Sequence, residues 1–276
     1  MLILIFILLV ASSFSILYPF MAYLSRGKLS VAKRLENIKR MDISDAASEL
    51  NQPLFKRVFR PMLDNMGKAM IRITPGELLT NLEKKILKAG NPGNLILKDW
   101  LSIQAVLLAG LPAITLLAGR YYKAAAGSIF LLVIAEIGLG FALPGFILSK
   151  LMTARQKVIL NSLPDVIDLL TVSVEAGLGF DGALMKVVEK KSGPLASEFD
   201  KVLQEIKVGR QKKDALKDMA ERIDLQDFTT FVGSVVQAEQ FGVGISNVLR
   251  IQAEQMRQKR RQRAQEKAMK APVKML

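Results

Sequence analysis

Three long apolar runs, at 2–24, 101–119 and 124–148, constrain this 276-residue sequence more than any other feature. Each is long enough to cross the hydrocarbon core of a bilayer, about 30 Å thick, as a single helix. Residues 120–123 read Arg-Tyr-Tyr-Lys, a combination of aromatic and cationic side chains that anchors helix ends at a membrane surface. The sequence therefore predicts three membrane spans, of which the last two form a hairpin.

The distribution of basic residues predicts how these spans are oriented. The chain carries 39 Lys and Arg against 25 Asp and Glu, and both long segments outside the apolar runs are net basic. No Lys or Arg precedes the first run, whereas Arg26 and Lys28 follow it closely. Because Lys and Arg are enriched on the cytoplasmic side of membranes, we expect the N-terminus outside and both basic segments in the cytoplasm.

The remaining sequence has helical periodicity and lacks the alternation that is typical of strands, which predicts an all-α, polytopic membrane protein with helical-bundle cytoplasmic domains. An alternative is a soluble core that buries two helices from 101–148, but the near absence of charge in that stretch argues against it. The predicted order is a first transmembrane helix at 1–24, a first cytoplasmic helical domain at 25–99, a transmembrane hairpin at 100–149, a second cytoplasmic helical domain at 150–271, and the start of a further membrane span at 272–276.

Two pairs of glycines, Gly177 with Gly179 and Gly242 with Gly244, are predicted to form structural turns in the second cytoplasmic domain. The two pairs align when the sequence is shifted by 65 residues, and each lies between two amphipathic stretches. The pattern indicates a repeated unit of helix, glycine turn and helix. We expect Asp181 to cap the helix that follows the first pair.

The six residues 177–182 also match G-x-G-x-x-G, the fingerprint of dinucleotide-binding domains. That fingerprint requires a strand before its first glycine, whereas Ser162-Leu-Pro-Asp165 is a typical helix start and predicts a helix there. We therefore interpret the motif as a turn between helices. The chain contains no Cys, no His and no Walker A motif. We therefore predict that it has no catalytic residue, metal site or cofactor and that it is not an enzyme.

Four acidic residues are candidates for contacts with partner proteins. Glu136 lies near the centre of the third apolar run, where a carboxylate is costly unless it meets a polar group. A functional contact and a bond to a neighbouring helix, for instance through Gln104, both remain open. Asp168 and Glu175 lie on the polar face of a predicted helix, and the fourth candidate is Glu239.

Glu239 continues an apolar stripe near the C-terminus of its predicted helix. Burial and the helix dipole both disfavour a carboxylate at such a position, so it requires a cation or a hydrogen-bond donor. Three interpretations are open: an internal partner such as Arg250 or Arg257, simple exposure where the stripe ends, or a basic residue on a partner protein.

The segment 257–263, Arg-Gln-Lys-Arg-Arg-Gln-Arg, is strongly basic. Nucleic-acid binding is one interpretation, but no aromatic side chains for base stacking are interleaved. We therefore predict a solvated helix near anionic membrane lipid and no nucleic-acid partner.

Three segments of the second cytoplasmic domain resemble the type II secretion F domain family. They read LPDVIDLLTVSVEAGLG at 163–179, EIKVGR at 205–210 and QAEQFGVG at 237–244. The resemblance implies a polytopic platform protein of the bacterial inner membrane with helical cytoplasmic domains. Chains of this family continue into another membrane helix, so 272–276 is expected to begin a further span.

The resemblance also implies partners. A hexameric secretion ATPase, small pilin subunits and a related, paired platform protein are expected, together with membrane lipid, in a homo- or hetero-oligomeric assembly. The implied function is to couple the ATPase to extraction and polymerisation of pilins. The alternative is a membrane-anchored scaffold or a transporter subunit unrelated to pilus assembly.

Overall fold

The computed structural model describes residues 70, 74–92, 96–121, 126–241 and 243–275. The predicted first transmembrane helix and most of the predicted first cytoplasmic domain lie outside these residues. The described part contains α-helices and no strand, which confirms the all-α prediction for that part. Its helices are α1 Gly76–Ala89, α2 Leu97–Tyr121, α3 Ala126–Glu175, α4 Phe180–Lys190, α5 Pro194–Lys207, α6 Lys212–Ile223, α7 Gln226–Phe241 and α8 Ile245–Met275.

The chain divides into two compact units after Leu151, a position inside α3. In the first unit, α2 and α3 are long and apolar enough to cross a membrane, and less than a third of each apolar window is buried within the protein. Small residues lie where these two helices approach each other. A Cβ on Gly140 would lie 3.1 Å from Leu108, and one on Gly119 would lie 2.6 Å from Ile129.

Helix α3 continues through Pro164 without interruption, so the predicted helix start at Ser162 is wrong. The Ser162 hydroxyl donates a hydrogen bond to the Ile159 carbonyl one turn earlier instead of capping a new helix. Proline in a helix interior removes one backbone hydrogen bond. Fully buried Leu163 and Ile167 lie on either side of it, so core packing stabilises the helix where that hydrogen bond is missing.

The second unit is a bundle in which each of the helices α4 to α8 packs against the next one along the chain. Its core is formed by apolar side chains spaced three and four residues apart, as expected for amphipathic helices. Phe228 lies at its centre, fully buried, with its ring centroid 6.3 Å from that of Phe199 and 6.0 Å from that of Phe231.

The predicted breaks at the glycine turns are present where the structure describes them. Gly177 has φ +91°, α4 begins directly after Gly179, and α8 begins directly after Gly244, whereas Gly242 lies outside the described residues. Asp181 does not cap α4, because the cap position is one residue earlier than expected, at Gly179, and no side chain bonds to it. Asp181 lies instead in the first helical turn.

We predict opposite stability effects for two glycine substitutions in this unit. Gly177→Ala should lower the free energy of unfolding by about 1 kcal/mol, because φ +91° is strained for a residue with a Cβ. Gly233→Ala should raise it by about 0.5–1 kcal/mol, since this glycine lies inside α7 and a Cβ there meets nothing within 4 Å. Pulse proteolysis of the purified full chain in urea measures both values. Equal effects of the two substitutions would contradict the assignment of the turn.

Candidate partner interface

Three turns lie at one end of the helical bundle. Because successive helices pack against each other and alternate in direction, the turns at 176–179, 208–211 and 243–244 lie at the same end. We call this the glycine-turn end. The turns 191–193 and 224–225 lie at the opposite end.

Lys212, the first residue of α6, connects two helices at the glycine-turn end. Its Nζ lies 2.8 Å from Asp181 Oδ1 in the first turn of α4 and 3.0 Å from Glu239 Oε1 near the end of α7. It also lies 5.9 Å from the centroid of the Phe180 ring. Burial disfavours the ammonium, but hydrogen bonds to the two carboxylates outweigh it and raise the pKa of Lys212. The lysine therefore stays charged and holds the turns together.

The contact with Lys212 tests two of the three interpretations of Glu239, namely an internal partner and simple exposure. Its predicted position on the packing face is wrong: the neighbouring Ala238 is buried, while the Glu239 side chain is 36% exposed. It pairs with Lys212 rather than with Arg250 or Arg257. The reason is geometric, because those two arginines extend towards α3.

Asp168 and Glu175 take part in a ladder of ion pairs between α3 and α8. Arg250 Nη2 lies 2.5 Å from Glu175, Arg257 Nη2 lies 2.6 Å from Asp168, and a third pair joins Arg260 Nη1 to Asp165 at 3.3 Å. The residue numbers rise on one helix as they fall on the other, so the two helices are antiparallel. All these side chains are exposed to solvent, and such pairs contribute little to stability.

The basic run 257–263 is largely engaged inside the bundle. Besides Arg257 and Arg260, Lys259 lies 2.7 Å from Asp227 in the first turn of α7, and Arg263 contacts the same carboxylate. Partial burial opposes charge on Asp227, but hydrogen bonds from the two cations lower its pKa. Four of the five cations therefore bind protein carboxylates rather than forming the fully solvated surface that we expected from the sequence.

Apolar side chains are exposed at all three turns of the glycine-turn end. Phe241 is 79% exposed and Val208 is 86% exposed, while Leu178 and Val243 are about half exposed. Exposed apolar groups that surround a fixed set of charges are typical of protein contact sites. The glycine-turn end is therefore the candidate partner interface of the bundle.

Glu198 is a buried charge that the sequence interpretation missed. Its side chain is 1% exposed and accepts hydrogen bonds from Arg155 at 2.7 Å and from Arg222 at 2.9 Å, with Lys201 at 3.5 Å. These residues connect α3, α5 and α6. The sequence did contain a signal for this burial. Glu198 follows Leu195 by three residues, so it lies on the apolar face of its helix.

The charge of Glu198 also makes the bundle sensitive to acid. Burial would raise its pKa, but the hydrogen bonds from Arg155 and Arg222 outweigh burial and lower the pKa below the ordinary value of 4.5. The contribution of Glu198 to stability is therefore complete above about pH 4.5 and is lost as the pH falls through the lowered pKa.

In the first unit, Glu136 contacts the neighbouring helix through a residue that we did not predict. Thr115 of α2 donates a hydrogen bond of 2.5 Å to Glu136 Oε1, whereas the predicted partner, Gln104, does not contact it. The other oxygen, Oε2, is buried and makes no hydrogen bond within the described residues. One oxygen atom therefore stays open to a further donor.

The described residues hold no group of three or more Asp, Glu, Cys or His side chains that could bind a metal. Their arrangement defines a helical protein with apolar helices and a charged, ion-paired bundle.

Residues 166–276, less than half of the chain, match the family described as Type II secretion system (T2SS), protein F. This segment therefore carries an F domain, and proteins with this domain are structural platform proteins of secretion and pilus systems associated with the inner membrane. No curated protein and no solved structure matches the chain.

Proposed function

We propose that this chain is an inner-membrane platform protein of a tight-adherence pilus machine and corresponds to TadC. In this role it couples a hexameric secretion ATPase to the extraction and polymerisation of pilin subunits, beside a paired platform protein similar to TadB. The F domain at 166–276 supports the proposal. The two apolar helices of the first unit support membrane association.

The proposed layout has three membrane spans, an outside N-terminus and two cytoplasmic domains. The first span, 1–24, and the domain 25–99 precede the hairpin 100–149, and the second domain occupies 150–271. The net basic character of both long segments supports their cytoplasmic position. The chain performs no chemistry in this proposal, because its function is to transmit motion of the ATPase to pilins.

The glycine-turn end is the observation that carries the proposed mechanism. It combines exposed Phe241 and Val208 with charges fixed by Lys212. In the proposed mechanism, a cytoplasmic ATPase binds this end, with Glu239 at its edge.

We predict the topology from these positions. Reporter domains fused after Lys39 or Lys213 should score as cytoplasmic, and a reporter inserted between Tyr121 and Tyr122 should score as external. The reason is that an odd number of spans places both basic segments on one side. A cytoplasmic signal at Tyr121 would contradict the three-span layout.

We predict that Glu239→Lys reduces co-purification of the ATPase on the order of tenfold, since it places a like charge beside Lys212 and reverses the charge offered to a partner. Folding should be retained, because Lys212 keeps its contact with Asp181. Pull-down from detergent extracts measures the effect, and protease resistance reports folding.

The matched control for Glu239 is Glu189→Lys at the opposite end of the bundle. Glu189 also pairs with a lysine, Lys186, and its side chain is 61% exposed. This control should leave co-purification unchanged. Equal losses in both variants would contradict a specific contact, and a protein that never captures the ATPase would favour an unrelated membrane scaffold or transporter subunit.

A further inference from the structure

A cavity of about 420 Å³ lies in the first unit, between α1 and the ends of the two apolar helices. From α2 it is lined by Gln104, and from α3 by Phe141, Pro144 and Gly145. Its volume is in the range of sites that hold small organic molecules. No residue of the glycine-turn end takes part in it.

The two sides of the cavity differ in chemistry. Helix α1 contributes the apolar Leu78 and Leu82 together with three lysines, of which Lys84 and Lys85 are exposed. The side formed by α3 is apolar, with a half-exposed Phe141 and a buried Pro144. A ligand that fits both sides has a negatively charged group and an apolar body.

Gln104 supplies a polar group inside the cavity. Gln104 is only 5% exposed and lines the cavity. Buried amides are normally hydrogen-bonded. An oxygen-bearing ligand in the cavity would supply an acceptor for this amide.

The position of the cavity along α2 and α3 indicates that such a ligand is a membrane lipid. Gln104 lies seven residues after the start of α2, about 10 Å along its axis, and Gly145 lies five residues before Lys150. Both are thus within two or three turns of the charged residues at which the apolar stretches end. This is the level at which phospholipid phosphates meet the acyl region.

We propose that this cavity binds one anionic phospholipid, with its phosphate between Lys84 and Lys85 and its upper acyl chain against Phe141 and Pro144. Basic pockets between membrane helices on the cytoplasmic side are suited to anionic headgroups. Gln104 donates to a phosphate or ester oxygen of the same lipid. The inference rests on the proposed membrane insertion of α2 and α3.

Native mass spectrometry of the full chain, released from nanodiscs of mixed phosphatidylcholine and phosphatidylglycerol, tests the proposal. The wild-type chain should retain one phosphatidylglycerol in preference to phosphatidylcholine. Lys84→Ala with Lys85→Ala should reduce that retention about fivefold for each lysine removed. The control, Lys190→Ala with Lys191→Ala, removes the same charge from an exposed turn of the second unit and should change nothing.

A second pair of variants tests the cavity without altering charge. Gly145→Leu places a side chain in the cavity, where a Cβ meets no atom within 4 Å, and should reduce retention as strongly as the lysine substitutions. Gly138→Leu also adds a side chain in open space on α3 but outside the cavity, and should leave retention unchanged.

Three results would overturn the inference. The first is equal retention of the two lipids, and the second is loss of preference in both members of a variant pair. The third is full displacement of the lipid by glycerol phosphate, which has no acyl chain and would show a site for a soluble phosphate ester. Failure of the proposed function is separate, since it would appear as a chain that retains the lipid but does not capture the ATPase.

Discussion

Replacing Glu198 with alanine is expected to lower the free energy of unfolding of the second unit by about 3 kcal/mol. The carboxylate is buried and holds Arg155 and Arg222, whose side chains are only 12% and 18% exposed. Its removal leaves both guanidinium groups short of a partner in a region with little water, and that desolvation cost dominates the effect. Glu198→Gln should cost nearly as much, because it removes the charge while keeping the shape.

The effect should be measured by pulse proteolysis of the full chain in urea. The only tryptophan, Trp100, lies in the first unit, so its fluorescence would not report on the bundle. Glu189→Gln is the control, since its solvent-exposed pair with Lys186 should contribute little to stability. Equal effects at positions 198 and 189 would contradict a structural role for the buried charge.

Replacing Phe228 with alanine is expected to cost about 4 kcal/mol of unfolding free energy. The ring is fully buried and contacts the rings of Phe199 and Phe231, so its removal loses apolar burial and leaves a cavity in the core. Capture of the proposed ATPase partner at 4 °C should weaken only in proportion to the unfolded fraction.

The control for Phe228 is Phe241→Ala at the glycine-turn end. Its ring is 79% exposed, so the substitution should change the unfolding free energy by less than about 0.5 kcal/mol. If Phe241→Ala destabilised the bundle as much as Phe228→Ala, the ring would belong to the core and not to a contact surface.

Local sequence rules predicted the helices and the glycine turns of the second unit because those features depend on near neighbours. Gly177 ends α3 through its own backbone conformation, and the apolar stripes follow from helical spacing. The predicted helix start at Ser162 was wrong because the structure there depends on residues that are distant in sequence. A serine before a proline is a local signal, and tertiary packing around Leu163 and Ile167 overrides it.

Charge pairing was predicted poorly because it depends on which helices become neighbours. The partner of Glu239 is Lys212, which is 27 residues away along the chain, and no periodicity indicates that pair. The donor to Glu136 is Thr115, and this pair depends on the register between α2 and α3. Near neighbours in the sequence therefore identified neither partner.

Site-specific photo-crosslinking in living cells tests most directly whether the glycine-turn end faces the ATPase. A photoreactive amino acid should be placed at Phe241 and Val208, which are highly exposed, and at Glu189 at the opposite end of the bundle. The account predicts crosslinks to the hexameric ATPase from positions 241 and 208 and none from position 189. Crosslinks to the ATPase from position 189 alone, or none from any of the three in a chain that is membrane-inserted and folded, would contradict it.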